Sequence, residues 1–429
     1  MKSNFIKSTI ILLIGGLLTK VLSVIIKIIM TRKLGIETLS MYMIILPTFS
    51  LAITLGQIGL PIALSRLVAL NDKNNKILYF SIIPITLVIN ILFSIIIVLI
   101  APFISNNLLH NSKIYYGIIS IAFVIPFTSL SGICRSYFFG KERMFPHVLS
   151  NIFENIIRLL FMIAILPKII LFKPKYIIMI LVLSNIISEL LSTIILIIFI
   201  PKNVSISLSD FKPNVSYIKD SFRLGLPNVS SNLIGNISFF LEPIILTNML
   251  LLLGYSNNYI IREYGIITGY IIPLLLLPSF FTIAVSQAIM PNITKKYNNG
   301  NYKSIYNFLL MVGLIIIIFG VITSILFELY GDYFLKLIYK TNLGFNYLKI
   351  LSPFFIFQYI QSIFTFSLNG MGKVRDIFYL SLISSITRIL TIILFSLLRI
   401  GIYSYIISII TNIIISDLFL FYKFSKYVK

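Results

Sequence analysis

Lys20, Arg158 and Arg388 each lie inside a stretch of Ile, Leu, Phe and Val long enough to cross a membrane, and so do four acids, Glu154, Glu189, Glu242 and Asp417. An ionised group in hydrocarbon is costly unless paired or watered, and such groups mark substrate and ion paths. The chemistry they suggest is the binding and movement of something charged. Lys20 sits in mid-run, too deep for easy snorkelling, and Lys27 follows one heptad later on the same face, closer to the end of its run. Lys20, Lys27, Arg158 and Arg388 are therefore the candidate substrate-binding residues, cations able to offset an anionic cargo where the dielectric constant is low. Arg158 stands one helical turn after Glu154, the spacing of a same-helix ion pair. Arg388 has only Ser384 and Ser385 one turn back, so its partner comes from another helix or from a substrate. Glu189 and Glu242 are candidates for coupling to Na⁺ or H⁺, with structural pairing as the alternative.

The elements that must position these groups follow from composition. Hydrophobic residues make up 58% of the 429 and charged residues 11%, against roughly 25% charge in an ordinary soluble domain. The chain reads as an all-α integral membrane protein, because its apolar runs are continuous rather than alternating and far exceed a barrel strand. A bilayer core needs about 20 apolar residues per helix. Twelve runs qualify, at 6–30, 38–65, 77–102, 114–135, 147–167, 176–200, 224–253, 264–292, 305–328, 346–368, 377–398 and 401–422. The first is too long for a signal-peptide core and lacks a small-residue cleavage site, so it is expected to stay as a helix, with the mature chain starting at Met1.

The net charge of +22 is explained by topology rather than by nucleic acid. With a cytoplasmic amino terminus, 20 of the 35 basic residues, Arg135 among them, fall in cytoplasmic connections, 11 on the opposite side and four within spans. Both termini are expected in the cytoplasm. The polar connection from Pro201 to Arg223 parts six spans from six, giving an amino-terminal bundle at 1–203, a cytoplasmic linker at 204–223 and a carboxy-terminal bundle at 224–429. A shift of 230 residues aligns Gln57 with Gln287, Pro61 with Pro291, Gly140 with Gly370 and Arg158 with Arg388. Transporters are commonly built from such repeated halves. Pro47, Pro227 and Pro278 fall in or at the ends of runs, where a missing backbone donor permits a hinge. Pro61 and Pro291 read as helix ends, and Gln57 and Gln287 as packing groups or sugar donors.

Two stretches, LTKVLSVIIKIIMTRKLGIETLSMYMIILPTFSLAITLGQIGLPIALSRLVAL and YGIITGYIIPLLLLPSFFTIAVSQAIMPNITKKY, together with RSYFFGKERMFPHVLSNIFENIIR, resemble the polysaccharide-transporter branch of the multidrug, oligosaccharidyl-lipid and polysaccharide exporter superfamily. The resemblance implies about 12 transmembrane helices in two six-helix bundles arranged in a MATE-like V shape. It also implies alternating access and movement of an undecaprenyl-diphosphate-linked sugar from the inner to the outer leaflet of the cell membrane. The family's basic residue of the first helix falls on Lys20, with a second on Lys27, its later basic residue on Arg158, and its seventh-helix carboxylate on Glu242, where the pattern usually has Asp. The turn GIETLSMY is poorer in glycine than is usual, and related lipid II flippases carry 14 helices against 12 here.

Other chemistries find little support. Cys134 is the sole cysteine, His110 and His147 are isolated, and no GxxxxGK phosphate loop is present, so neither metal, cofactor nor ATP hydrolysis by that loop is expected. Coupling would come from an Na⁺ or H⁺ gradient or the membrane potential. The expected partners are the lipid-linked glycan, membrane lipids and glycan-synthesis enzymes, with no nucleic acid. The leading function is a flippase serving cell-wall, capsule or spore-envelope synthesis, against a cation-coupled multidrug exporter of the same fold. A membrane glycan polymerase or ligase would need a substantial outer loop bearing acids, and the longest outer connection offers only Asp332.

Overall fold

In the computed structural model the backbone is described for residues 2–70, 75–200 and 215–428, and side chains for 11, 12, 14–70, 79–200, 221 and 229–428. Helices dominate, as they must where no water is at hand to satisfy a backbone amide and each segment has to bond internally. Twelve helical runs are long and apolar enough to cross a membrane among the described residues. The chain divides into two compact units, Met1–Leu233 and Ile234–Lys429. That division falls inside one long helix, and most of the segment 204–223, expected as a linker, lies outside the described residues.

The first unit contains α1 (Lys2–Lys33), α2 (Ile36–Gln57), α3 (Leu60–Leu70), α4 (Asn75–Pro102), α5 (Tyr115–Gly140), α6 (Met144–Ala164), the single turn α7 (Leu166–Ile169) and α8 (Pro174–Ile198). α5 is its centre, packed by α2, α3, α4 and α8, and it is the most buried of the six spans here. Tyr79, Cys134, Phe138 and Leu196 join α4, α5 and α8 in one core cluster, in which the Tyr79 hydroxyl lies 2.9 Å from the Cys134 sulfur. α1 rides on α6 at close range: a Cβ on Gly15 would stand 2.0 Å from Val148 Cγ1, so only glycine permits this crossing.

The second unit takes up α9 (Val215–Leu252) from Ile234 and continues with α10 (Asn257–Ile266), α11 (Ile272–Leu276), α12 (Ser279–Asn298), α13 (Tyr302–Tyr339), α14 (Phe345–Gly370), α15 (Val374–Ser396) and α16 (Tyr403–Val428). A π-helical stretch, Ile267–Ile271, joins α10 to α11. α14 is central, packed by α12, α13 and α16. The two units repeat one frame. α5 and α14 begin and end 230 residues apart, α6 and α15 begin 230 apart, and α8 and α16 end 230 apart.

Several boundaries differ from expectation, each for a local reason. The run expected at 264–292 is broken: the eighth candidate span is Asn257–Leu276, and Pro278 caps the separate helix α12. Proline there ends one helix and starts the next, as its missing amide favours. The run at 38–65 parts at Ile58 and Gly59, both with positive φ, 42° and 72°. Pro291 lies inside α12 and Pro47 inside α2 without ending either helix. As a side chain, Pro227 lies outside the described residues. Arg135, counted from the sequence as a loop cation, sits inside α5, because the apolar run resumes beyond it through Tyr137, Phe138 and Phe139 to Gly140.

Candidate functional site: a charge cluster in each unit

In the first unit three helices bring four charges together. Arg135 comes from the end of α5, Glu154 and Arg158 from α6, and Glu189 from the middle of α8. Arg135 Nη2 donates to Glu154 Oε2 at 2.5 Å and to Glu189 Oε2 at 2.7 Å. Arg158 Nη2 lies 2.7 Å from Glu154 Oε1 and 3.7 Å from Glu189 Oε1. Each carboxylate thus meets both guanidinium groups, and the four close a neutral ring. Three serines extend it: Ser131 donates to Glu189, Arg135 donates to Ser192 Oγ at 3.0 Å, and Arg158 Nε to Ser188 Oγ at 3.1 Å.

Burial grades this ring. Glu154 and Glu189 side chains are 9% and 7% exposed, whereas Arg135 and Arg158 are 19% and 29% exposed. The acids form the floor and the cations the rim, with Arg158 outermost and its 3.7 Å contact the loosest edge. Two charges placed so deep repay their desolvation only through such mutual bonding. The same-helix spacing of Glu154 and Arg158 gives the pair expected of it. Arg135 is the member that the sequence reading missed; the continued apolar run after it was the signal.

α1 lies beside α6, and Ser23 Oγ donates to Asn155 Oδ1 across that contact at 3.0 Å. Lys20 and Lys27 flank Ser23 on the same stripe of α1, Lys20 exposed and Lys27 half-buried. Among the described residues, the ion pairs of Glu154 and Glu189 are with Arg135 and Arg158 and not with either lysine.

The second unit holds a smaller cluster. Arg388 on α15 meets Glu242 on α9, Nε to Oε1 at 2.9 Å, with the N–H not aimed for a hydrogen bond. Tyr405 on α16 completes it: Arg388 Nη2 donates to the Tyr405 hydroxyl at 3.3 Å, and that hydroxyl donates to Glu242 Oε2 at 3.5 Å. The guanidinium also lies over the Tyr405 ring, 5.8 Å from its centroid, and Tyr264 packs on Tyr405. Glu242 is 2% exposed, and Arg388 is 25% exposed. Both ion-coupling candidates, Glu189 and Glu242, are therefore bonded to arginine.

Against known proteins, residues 5–297 match the model of the family described as polysaccharide biosynthesis protein, more than half of the chain. The chain belongs to that family. Residues 243–394 also match the MatE model. Among curated relatives of this chain, stage V sporulation protein B of Bacillus subtilis (strain 168) is 29% identical over 372 residues, covering 84% of this chain and 71% of its own length. Sporulation protein YkvU of the same organism is 23% identical over 88% of this chain and 85% of its own. The fold is that of the multidrug MATE transporters. An inward-facing MATE family transporter of the MOP superfamily superposes with a TM-score of 0.72 at 16% identity, over 96% of this chain and 94% of that one. The lipid II flippase MurJ, in an inward closed conformation, gives 0.71 at 15% identity, over 96% and 86%. This member of the family is a multi-pass membrane protein.

Proposed function

We propose that this protein is a transporter rather than an enzyme, moving an undecaprenyl-diphosphate-linked oligosaccharide or polysaccharide precursor from the inner to the outer leaflet by alternating access. The observation that carries this reading is the family match over residues 5–297, on a chain that keeps cations exposed inside membrane spans. The relatives include a protein named for stage V of sporulation, which supports a role in the cell wall, capsule or spore envelope. In this reading the diphosphate meets Lys20 and Lys27 first, since they stand outside the ring of four. Arg158 serves as the ring's outer cation, able to exchange its loose 3.7 Å contact with Glu189 for a phosphate oxygen. The protein sits in the cell membrane with both termini cytoplasmic, driven by an Na⁺ or H⁺ gradient or by the membrane potential, and works beside glycan-synthesis enzymes.

The test is the purified protein in liposomes loaded with a labelled lipid-linked glycan, with and without ion gradients. Leaflet exchange is read by the accessibility of the sugar to an added lectin. Lys20→Ala and Arg158→Ala are each expected to bring exchange to background while the protein remains folded. Full exchange in both variants sinks the head-group role. The match of residues 243–394 to the MatE model favours a second reading, a cation-coupled drug exporter. That reading wins if Glu242→Gln abolishes gradient-driven dye efflux from the same liposomes while Lys20→Ala leaves it intact.

A further inference from the structure

The start of α13 and the end of α16 enclose a cavity of about 910 Å³, whose polar lining includes Asn301, Lys303, Tyr306, Tyr422 and Ser425. None of the residues that line it is acidic. Three other cations at this end of the unit are already engaged: Lys423 is held by Asp376 at 2.7 Å, Lys296 lies over the Phe308 ring and Lys373 over the Tyr427 ring. Lys303 is exposed and makes no ion pair among the described residues. Beside it the Asn301 side chain accepts from the Ser304 N–H at 3.2 Å, which leaves its amide to donate, and the tyrosine and serine hydroxyls add further donors. The opening turn of a long helix favours negative charge as well. The cavity thus offers one ammonium and several neutral donors to an anionic group.

What that anion carries follows from the adjoining space. Leu418 and Phe421 line both the cavity and an apolar groove of about 350 Å³ between α13, α14 and α16, where Leu310, Leu314, Ile317 and Phe364 complete the wall. Ile317 stands 14 residues after Lys303, about 21 Å along the helix. One leaflet with its headgroups measures about 20–22 Å. Cavity and groove together therefore match the length and polarity of a single lipid, anionic at the surface and apolar below it. Asp417, the one acid in the groove wall, is relieved by protonation and asks for no countercharge. Gly313 leaves room for a chain, since a Cβ there meets nothing within 4 Å. An apolar groove alone would not select its occupant. The first unit has one of about 430 Å³ between α4 and α5, but no charged residue lines it, and its Ser94 is satisfied by donating to the Ala122 carbonyl at 2.6 Å. Half-exposed tyrosines alone would be an ordinary interfacial belt. The uncommitted lysine at the head of a continuous groove is what sets the second unit apart.

We propose that cavity and groove form one binding site for an anionic phospholipid of the leaflet on that side, with its phosphate at Lys303 and an acyl chain along α13 and α16. The site includes no member of either charge cluster and does not rest on the glycan reading. The experiment is native mass spectrometry of the full chain, released from nanodiscs of equal parts phosphatidylglycerol and phosphatidylcholine with matched acyl chains. Three variants are compared with the wild type: Lys303→Gln removes the charge at the site, Lys340→Gln removes one at the far end of α13, and Gly313→Leu fills the groove. The wild type is expected to retain one phosphatidylglycerol in roughly fivefold preference to phosphatidylcholine. Lys303→Gln is expected to bring the two lipids to near parity, Lys340→Gln to leave the preference unchanged, and Gly313→Leu to lower retention of both. Equal retention of the two lipids by the wild type, a preference that survives Lys303→Gln or falls as far in Lys340→Gln, or indifference of both lipids to Gly313→Leu would each overturn the proposal. So would displacement of the retained lipid by an equimolar polyprenyl phosphate, which would give the site to the cargo instead.

Discussion

Arg158 and Arg388 occupy the same position in two copies of one helical frame, yet they are neutralised in different ways. In the first unit the acids come from the arginine's own helix and from α8, and a second arginine joins them to close a ring of four. In the second unit the positions 230 residues after Arg135, Glu154 and Glu189 hold Thr365, Ser384 and Phe419, so three of the four charges are gone. The remaining arginine takes its counterion from α9, through Glu242, and a phenol from α16, through Tyr405. The repeat has kept a cation at a fixed depth in the frame and let its neutralising partner move. The cation's place is thus the property shared by both halves, whereas the acid is free to come from any helix that passes within reach. The consequence is a difference in redundancy: four charges can share a loss that two cannot.

That difference can be broken most directly by removing one acid from each unit. Glu242→Gln leaves Arg388 with no carboxylate and is expected to destabilise the protein by about 3 kcal/mol, as for a broken buried pair, with most of the loss recovered in the double variant Glu242→Leu, Arg388→Met. Glu189→Gln leaves Glu154 between both arginines and is expected to cost only about 1 to 2 kcal/mol. Thermal unfolding in detergent reads both, and an equal or larger loss in Glu189→Gln would end the idea that the ring is redundant.

A second contrast concerns the paired glycines that close α5 and α14. A Cβ on Gly140 would meet the Ser65 carbonyl oxygen at 2.5 Å, whereas on Gly370 the nearest atoms are the Thr294 hydroxyl at 3.1 Å and the Met290 carbonyl at 3.2 Å. Gly140→Ala is expected to cost about 2 kcal/mol and Gly370→Ala less than about 1, with partial relief by rotation of the Thr294 side chain. Folded yield and melting temperature check the order, and a reversed order would mean that the end of α14, not that of α5, is the tighter of the two contacts. A smaller effect is expected from Ser188→Ala, which removes the acceptor of one hydrogen bond from the Arg158 guanidinium; Glu154 still holds that charge, and the change should lower stability by about 1 kcal/mol. Its value lies in transport: unchanged glycan exchange in Ser188→Ala beside a silent Arg158→Ala would show that the charge of Arg158, and not its orientation by α8, is what the cargo uses.

Much of this frame was legible in the sequence because continuous apolar runs admit few structures in a bilayer. The pair of Glu154 and Arg158 was legible for the same reason, since both residues sit on one helix at contact spacing. Arg135 was lost by ending its run at the first charge, although three aromatic residues follow it in the same helix. The partner of Arg388 was beyond reach, because Glu242 lies in a helix 146 residues earlier and only tertiary packing brings them together. The split of the eighth run had the opposite fault: Pro278 was seen, but as a bend within one span rather than the start of another helix. Side-chain periodicity cannot separate these cases when almost every position is apolar.

Cys134 gives the molecule a practical property. It is the only thiol in the chain, 2% exposed and in contact with the Tyr79 hydroxyl. A sulfur so enclosed is shielded from water-borne maleimides and spin labels. The unmodified protein is therefore a quiet background for spectroscopy, and a single cysteine introduced on an exposed face of either unit becomes a reporter without first stripping the native one.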